Sequence, residues 1–189
     1  MSAQPNITKE VTIQNGLISV NDEVVFERPQ MDIKELLRAS YQQLGMEYPK
    51  FFKMDLLCQL AIIGSEILLR DTQVLAKYPK DRISILLSNS SSSLDTDRRY
   101  YDTIKNGDSY FPSPVVFVYT LPSIMCGEIA IRNGIQGENN FLITESYDET
   151  FIEAQVSNLF AQGHTDVCIS GWVQLEGAGY GLVMFLAER

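Results

Sequence analysis

Apolar positions recur along the chain with two spacings. In "VTIQNGLISV" (11–20), two short runs of alternating character flank Asn15-Gly16. Both residues accept positive φ readily, so the stretch predicts a tight β-hairpin. "NDEVVFE" predicts one more strand. In "MDIKELLRASYQQLG", Leu36, Leu37, Tyr41 and Leu44 form one helical stripe, with Asp32 as N-cap and Gly45 as stop. From about Lys53 to Arg70 the pattern is apolar nearly all round, which predicts a helix buried on several sides. Ala61 and Gly64 would let a neighbour approach it closely.

"RISILLS" then reads as a strand covered on both faces. "NSSSSLDTD" reads as a polar loop capping a short helix at Arg98–Ile104, and "PVVFVYT" as a strand. "LPSIMCGEIAIRNG" predicts a helix with Pro122 in its first turn and Asn133-Gly134 at its end. "NFLIT" predicts a strand, "YDETFIEAQVSNLFAQG" a helix ending at Gly163, and "DVCISGWV" and "YGLVMFLAE" two last strands. Strands and helices alternate through the middle without repeat or linker. The expected fold class is α/β: one domain over 1–189, a mixed central sheet covered by helices, and a loose polar terminus over about 1–8.

Composition narrows the functions open to such a domain. The 189 residues are 45% hydrophobic, enough for one real core. The net charge of -9 disfavours nucleic-acid backbones and anionic membranes as partners. The most apolar stretch, "MDLLCQLAIIGSEILL", carries Asp55 and Glu66 and is too short to span a bilayer. No export signal is visible, so a cytoplasmic location is expected. Cys58, Cys126 and Cys168 are odd in number and widely spaced. That pattern argues against a disulfide framework or structural zinc, and buried, unreactive thiols are expected.

Candidate chemistry is sparse. There is no Walker loop, HExxH or GxSxG, and the serine run lacks the glycines of a phosphate cradle. "EGAGYGL" is followed by an apolar strand, whereas a dinucleotide fingerprint opens a helix. No metal or cofactor is expected. His164, the sole histidine, lies just past a helix end, where the helix dipole gives it a structural role. Ser146 stands at a strand-to-helix turn, a place where enzymes put nucleophiles. Ser146-Tyr147-Asp148-Glu149 also fits the capping box S-x-x-E. The catalytic reading needs a base. If one helix runs over 147–163, His164 lies roughly 27 Å away at about 1.5 Å per residue. Glu145, Asp148 and Glu149 around the serine disfavour new negative charge.

The stretch from "SPVVFVYTLPSIMCGEIAIRNG" to "HTDVCISGW" resembles the β-ketoacyl synthases (3-oxoacyl-[acyl-carrier-protein] synthases) of the thiolase fold. Gly127, Ile129, Ala130 and Ile131 match the end of that family's helix, Gly134, Gly137 and Asn139 its G-x-x-G-P-N segment, and Gly163 and Gly171 its later glycines. "GAGYGLVMFLAE" is similar to the strand after its G-E-G-A-G turn, and "SNSSSSLDTDRRYYDT" to the segment before its active-site region. The resemblance covers about residues 50–189 and implies one half of a thiolase-like fold. In that register the nucleophilic cysteine position is Ser146. Cys126-Gly127 replaces the usual Ala-Gly, and Glu138 the usual proline. The second half, which supplies two histidines, has no counterpart in these residues. The resemblance therefore implies a catalytically incomplete relative: an accessory partner subunit like the chain length factors. The family's dimers imply pairing through about Asn140–Thr144, with a twin or with a full-length synthase. An acyl carrier protein is an indirect partner, and Arg98, Arg99, Lys105 and Arg132 are the candidate cations for it. The alternative is an acyltransferase or hydrolase using Ser146 with groups from a partner chain.

Overall fold

The computed structural model describes residues 5–29, 31–105 and 112–189. Its frame is a seven-stranded sheet in the order β3-β2-β1-β7-β6-β4-β5. The strands are β1 (Asn6–Gln14), β2 (Leu17–Val20), β3 (Glu23–Glu27), β4 (Ile83–Asn89), β5 (Asn139–Ile143), β6 (Val167–Glu176) and β7 (Gly179–Glu188). β4 runs parallel to β5 and β6, and the other neighbours are antiparallel, so the sheet is mixed as expected. The helices are α1 (Ile33–Gln43), α2 (Leu56–Leu69), α3 (Val74–Lys77), α4 (Leu94–Ile104), α5 (Pro114–Val118), α6 (Ile124–Asn133) and α7 (Glu149–Ala161).

The hairpin forms where Asn15-Gly16 predicts it, with φ of 52° and 76° at the two turn residues. Asp32 caps α1 through a bond from Glu35 N at 2.9 Å, and Gly45, at φ 63°, follows the helix. α2 is buried along most of its length, and Gly64 packs directly beneath Leu182 and Met184 of β7. On this face of the sheet α1, α2 and α6 close the larger core over Val11, Ile13, Ile85, Leu87, Ile169 and Met184. On the other face α7 lays Ile152, Val156, Leu159 and Phe160 over Leu86, Cys168 and Phe185. β4 is buried at every residue because both layers meet it.

Several expectations change. "PVVFVYT" is no strand: Pro114–Val118 is a short helix. Its β-branched run favours strand, but Ser113 Oγ accepts from Val116 N at 3.3 Å and Pro114 takes the first helical position. α4 begins at Leu94 rather than Arg98. α2 begins at Leu56, after a 3₁₀ turn over Pro49–Lys53, because Asp55 caps it. Pro122 lies ahead of the N-cap Ser123 of α6 rather than in the first turn. Residues 1–4 of the expected loose terminus lie outside the described residues. Asn6, Ile7 and Thr8 belong to β1, where Asn6 and Ile7 pair with Glu188 and Ala187 of β7. Strand pairing there overrides the polar composition.

Candidate functional site at the strand ends

In sheets with parallel strands, sites gather beyond the strands' carboxyl ends. Here β4 and β5 end side by side, and Thr144 N donates to Asn89 O at 3.0 Å. Ser146 lies in the turn that follows, before α7.

The cap of α7 is Asp148, not Ser146. Asp148 is extended (φ -132°, ψ 101°) and its carboxylate accepts from Phe151 N at 3.0 Å. Both residue types can cap, but Asp adds full negative charge at the positive end of the helix dipole. The capping box of Ser146 and Glu149 is therefore not formed, since Glu149 is the first residue of α7. Ser146 is exposed, and its backbone carbonyl accepts from Thr144 Oγ1 at 3.1 Å.

The surroundings of Ser146 are acidic. Tyr147 packs half-buried with its ring 6.4 Å from that of Trp172. Burial, then Glu149, Glu10 and Glu153, pushes its hydroxyl up to about 12. Glu10 on β1 also titrates above the usual carboxylate range, first through burial, then through Glu149 and Asp22. Burial leads both shifts; the carboxylates that follow it, with Glu145 and Asp148 next to Ser146 in sequence, would oppose a negative charge forming on the serine. His164 is exposed beyond the far end of α7, past Gly163 at φ 81°. At about 1.5 Å per residue, the 13-residue helix keeps the imidazole away from Ser146.

The serine loop after β4 is satisfied internally. Asn89 Oδ1 accepts from Ser92 N at 2.7 Å, Ser90 N donates to Gln174 Oε1 at 3.0 Å, and Ser93 Oγ donates to Thr120 O at 2.9 Å. Its donors do not converge on a ligand. Gly171, matched by the resemblance, sits at φ 142°, and a Cβ there would lie 2.0 Å from Val183 O, so only glycine fits.

The three cysteines are free and buried. Burial pushes Cys126 up to about 12 and raises Cys58 and Cys168 well above their ordinary value. Thiols held neutral in this way are poor nucleophiles.

Sequence reading misses two buried carboxylates beside this end of the sheet. Asp55 accepts from Cys58 N at 2.9 Å and from Thr96 Oγ1 at 2.6 Å. Glu128, 2% exposed, lies 2.6 Å from Lys50 Nζ and accepts from the Tyr119 hydroxyl at 3.3 Å. The bond to Glu128 raises Lys50, and burial followed by Glu128 raises Tyr119. An acid before the apolar run was a legible cap signal for Asp55. Nothing local marks Glu128, whose partner Lys50 is distant in sequence.

Several large apolar side chains of α5, α6 and β5 are exposed. Val115, Phe117 and Val118 of α5, Leu121, Ile131 of α6 and Ile143 of β5 are all exposed, Phe117 at 53% and Ile143 at 60%. Ser93 of the loop after β4 holds Thr120, and Asn89 at the end of β4 holds Thr144. β5 has only β4 as neighbour, so its other edge is unpaired among the described residues. Of the four candidate cations, Lys105 is paired with Asp102 at 2.7 Å and Arg132 with Glu66 at 2.7 Å. Arg98 and Arg99 are exposed and in no ion pair among the described residues. Among the described residues no helix is long and apolar enough to cross a membrane.

No protein-family model matches the sequence. No curated protein matches it significantly either. Solved structures do match in shape. The ishigamide ketosynthase/chain length factor superposes with a TM-score of 0.75 at 18% identity, over 99% of this chain and 62% of that one. The ketosynthase in complex with its chain length factor from Xenorhabdus doucetiae gives 0.68 at 13%, over 99% and 79%. A β-ketoacyl synthase from Burkholderia phymatum gives 0.65 at 13%, over 98% and 59%. The chain spans 62% of the first of these and 59% of the last. At such identities the likeness is one of fold. The chain has the α/β architecture of one half of a ketosynthase-like, thiolase-type fold.

Proposed function

We propose that this chain is a non-catalytic accessory subunit, similar to a chain length factor, that pairs with an active condensing enzyme in the bacterial cytoplasm. The pathway class is fatty-acid or polyketide synthesis, including products of the aryl-polyene type. The observation that carries the reading is the open β5 edge, with Ile143 exposed on that strand and Phe117, Leu121 and Ile131 exposed on the segments that precede it. A bare parallel edge and exposed large apolar side chains are surfaces that association would cover. Two of the solved structures similar in shape are described as ketosynthase and chain length factor together.

The site chemistry supports the accessory role. Condensation needs a thiolate to hold the acyl group and neutral donors for the developing oxyanion. In the register that the resemblance implies, the family's cysteine position is Ser146, which is exposed, has Glu145, Asp148 and Glu149 close in sequence and lies beyond the opposite end of α7 from His164. A hydrolase or acyltransferase using Ser146 would need its base from another chain, and no described residue favours that reading. A carrier protein would meet the partner enzyme first, with Arg98 and Arg99 the two of the four candidate cations unpaired among the described residues. Co-expression with a full-length condensing enzyme of the same organism tests the proposal. A stable complex with a product whose length depends on this chain is expected, and a monomer that never binds the enzyme would refute it.

A further inference from the structure

The β2–β3 hairpin, α1 and the end of α2 enclose a half-open cavity of about 570 Å³, on the core side of the sheet and apart from Ser146. Ile18, Val20 and Phe26 line it from the hairpin, and Leu44 and Ile67 from the helices. The volume lies within the range of small-molecule pockets, and the walls have the usual apolar character.

Two observations define the ligand. The first is Ser40 of α1, which lines the cavity at 3% exposure. Its hydroxyl has no hydrogen-bond partner among the described residues. Helical serines elsewhere in the chain bond back to the preceding turn, as Ser157 does to Glu153 O at 2.9 Å. A buried hydroxyl without a partner is costly, and a turn of the Ser40 side chain toward the cavity would let a polar atom of a ligand satisfy it.

The second observation is the charge around the cavity. Lys9 and Arg70 are balanced by Glu23 and Asp71. Lys9 is also engaged: its ammonium donates to Ile67 O at 2.8 Å and Arg70 O at 2.7 Å, at the carbonyl end of α2. A charged ligand of either sign would meet a like charge and gain no net field. We infer that the cavity binds an uncharged, mainly apolar small molecule with one hydrogen-bonding head, such as an alkyl alcohol. The site does not depend on the pairing proposed above.

The test is a titration of the full chain with 1-octanol, octanoate and octylamine, followed by amide NMR. Octanol should give saturable shifts at Ser40, Leu44 and Ile67, with both charged analogues at least about tenfold weaker. Ser40→Ala should weaken octanol about threefold to tenfold, the worth of one hydrogen bond. The free variant should melt no lower than the parent, because an unsatisfied hydroxyl is removed. Val25 lies on the cavity wall and is 50% exposed, so Val25→Trp can fill the cavity without burdening the core and should abolish binding. Shifts absent from these residues, shifts centred on Val115 to Leu121, or tighter binding of either charged analogue would overturn the inference.

Discussion

The two edges of the sheet are built differently. β3 reads "EVVFE": it is bracketed by Glu23 and Glu27, its pairing with β2 is interrupted by a register shift at Ile18/Ser19, and Arg28-Pro29 follow it. Charges, bulges and prolines are the devices that keep an edge from pairing. β5 reads "NNFLI", without charge, shift or proline, and with exposed Ile143 at its end; Phe117 and Leu121 are exposed on the segments before it. One edge is guarded and the other is open. The contrast teaches that exposed apolar residues alone do not mark an interface, since Val24 and Val25 of β3 are exposed as well. The state of the backbone edge beside them distinguishes the two.

The most damaging change should be Ile143→Pro. Thr144 N bonds inward to Asn89, so by alternation the amide of Ile143 faces the open edge. Proline there removes an outward donor and spares the ladder to β4. Partner affinity should fall by about a hundredfold or more, roughly 2.7 kcal/mol, in a chain that still melts cooperatively. Val25→Pro on β3 serves as the contrasting edge and should leave partner affinity unchanged.

Next in size is the loss from the exposed apolar residues. Phe117→Ala and Leu121→Ala should each weaken pairing by about tenfold, near 1.4 kcal/mol, if they sit in the buried centre of the interface. Calorimetric titration with the condensing enzyme would measure it. Glu128→Ala acts one step behind these residues, because Glu128 holds Tyr119 at the end of α5. It should cost about 2 kcal/mol of stability by leaving the tyrosine hydroxyl unpaired, while the partly exposed Lys50 turns to water. Chemical denaturation would show it.

Smaller still is the acid response. Arg82 beside Asp166, and Tyr78 then Lys77 beside Glu188, hold both carboxylates below their ordinary range. Their folded values lie below their unfolded ones. The stability they add is therefore complete above the unfolded carboxylate range and is lost as pH falls through the depressed values. Asp166→Asn should flatten the acid limb of a melting-temperature profile without moving partner affinity at neutral pH.

Much of the fold was legible because local signals and tertiary environment agree. Asn15-Gly16, the capped stripe of α1 and the all-apolar runs of α2 and β4 each admit one reading. "PVVFVYT" misleads because its β-branched residues describe a strand, while the Ser113-Pro114 start and an exposed position make a short helix. Ser146 and Asp148 are two capping residues two positions apart, and only backbone geometry decides between them. The strand order, and with it the open edge of β5, depends on pairings that no local pattern encodes. Glu128 escaped notice for the same reason, since its meaning lies in Lys50 of another element.

The most direct test is native mass spectrometry of the tagged chain purified from its own cells together with any condensing enzyme it retains, beside Ile143→Pro and Ser146→Ala. The account predicts a one-to-one complex with the parent and with Ser146→Ala, no acyl adduct on either accessory chain, and dissociation with Ile143→Pro. A monomer throughout, or an acyl adduct that disappears in Ser146→Ala, would contradict it.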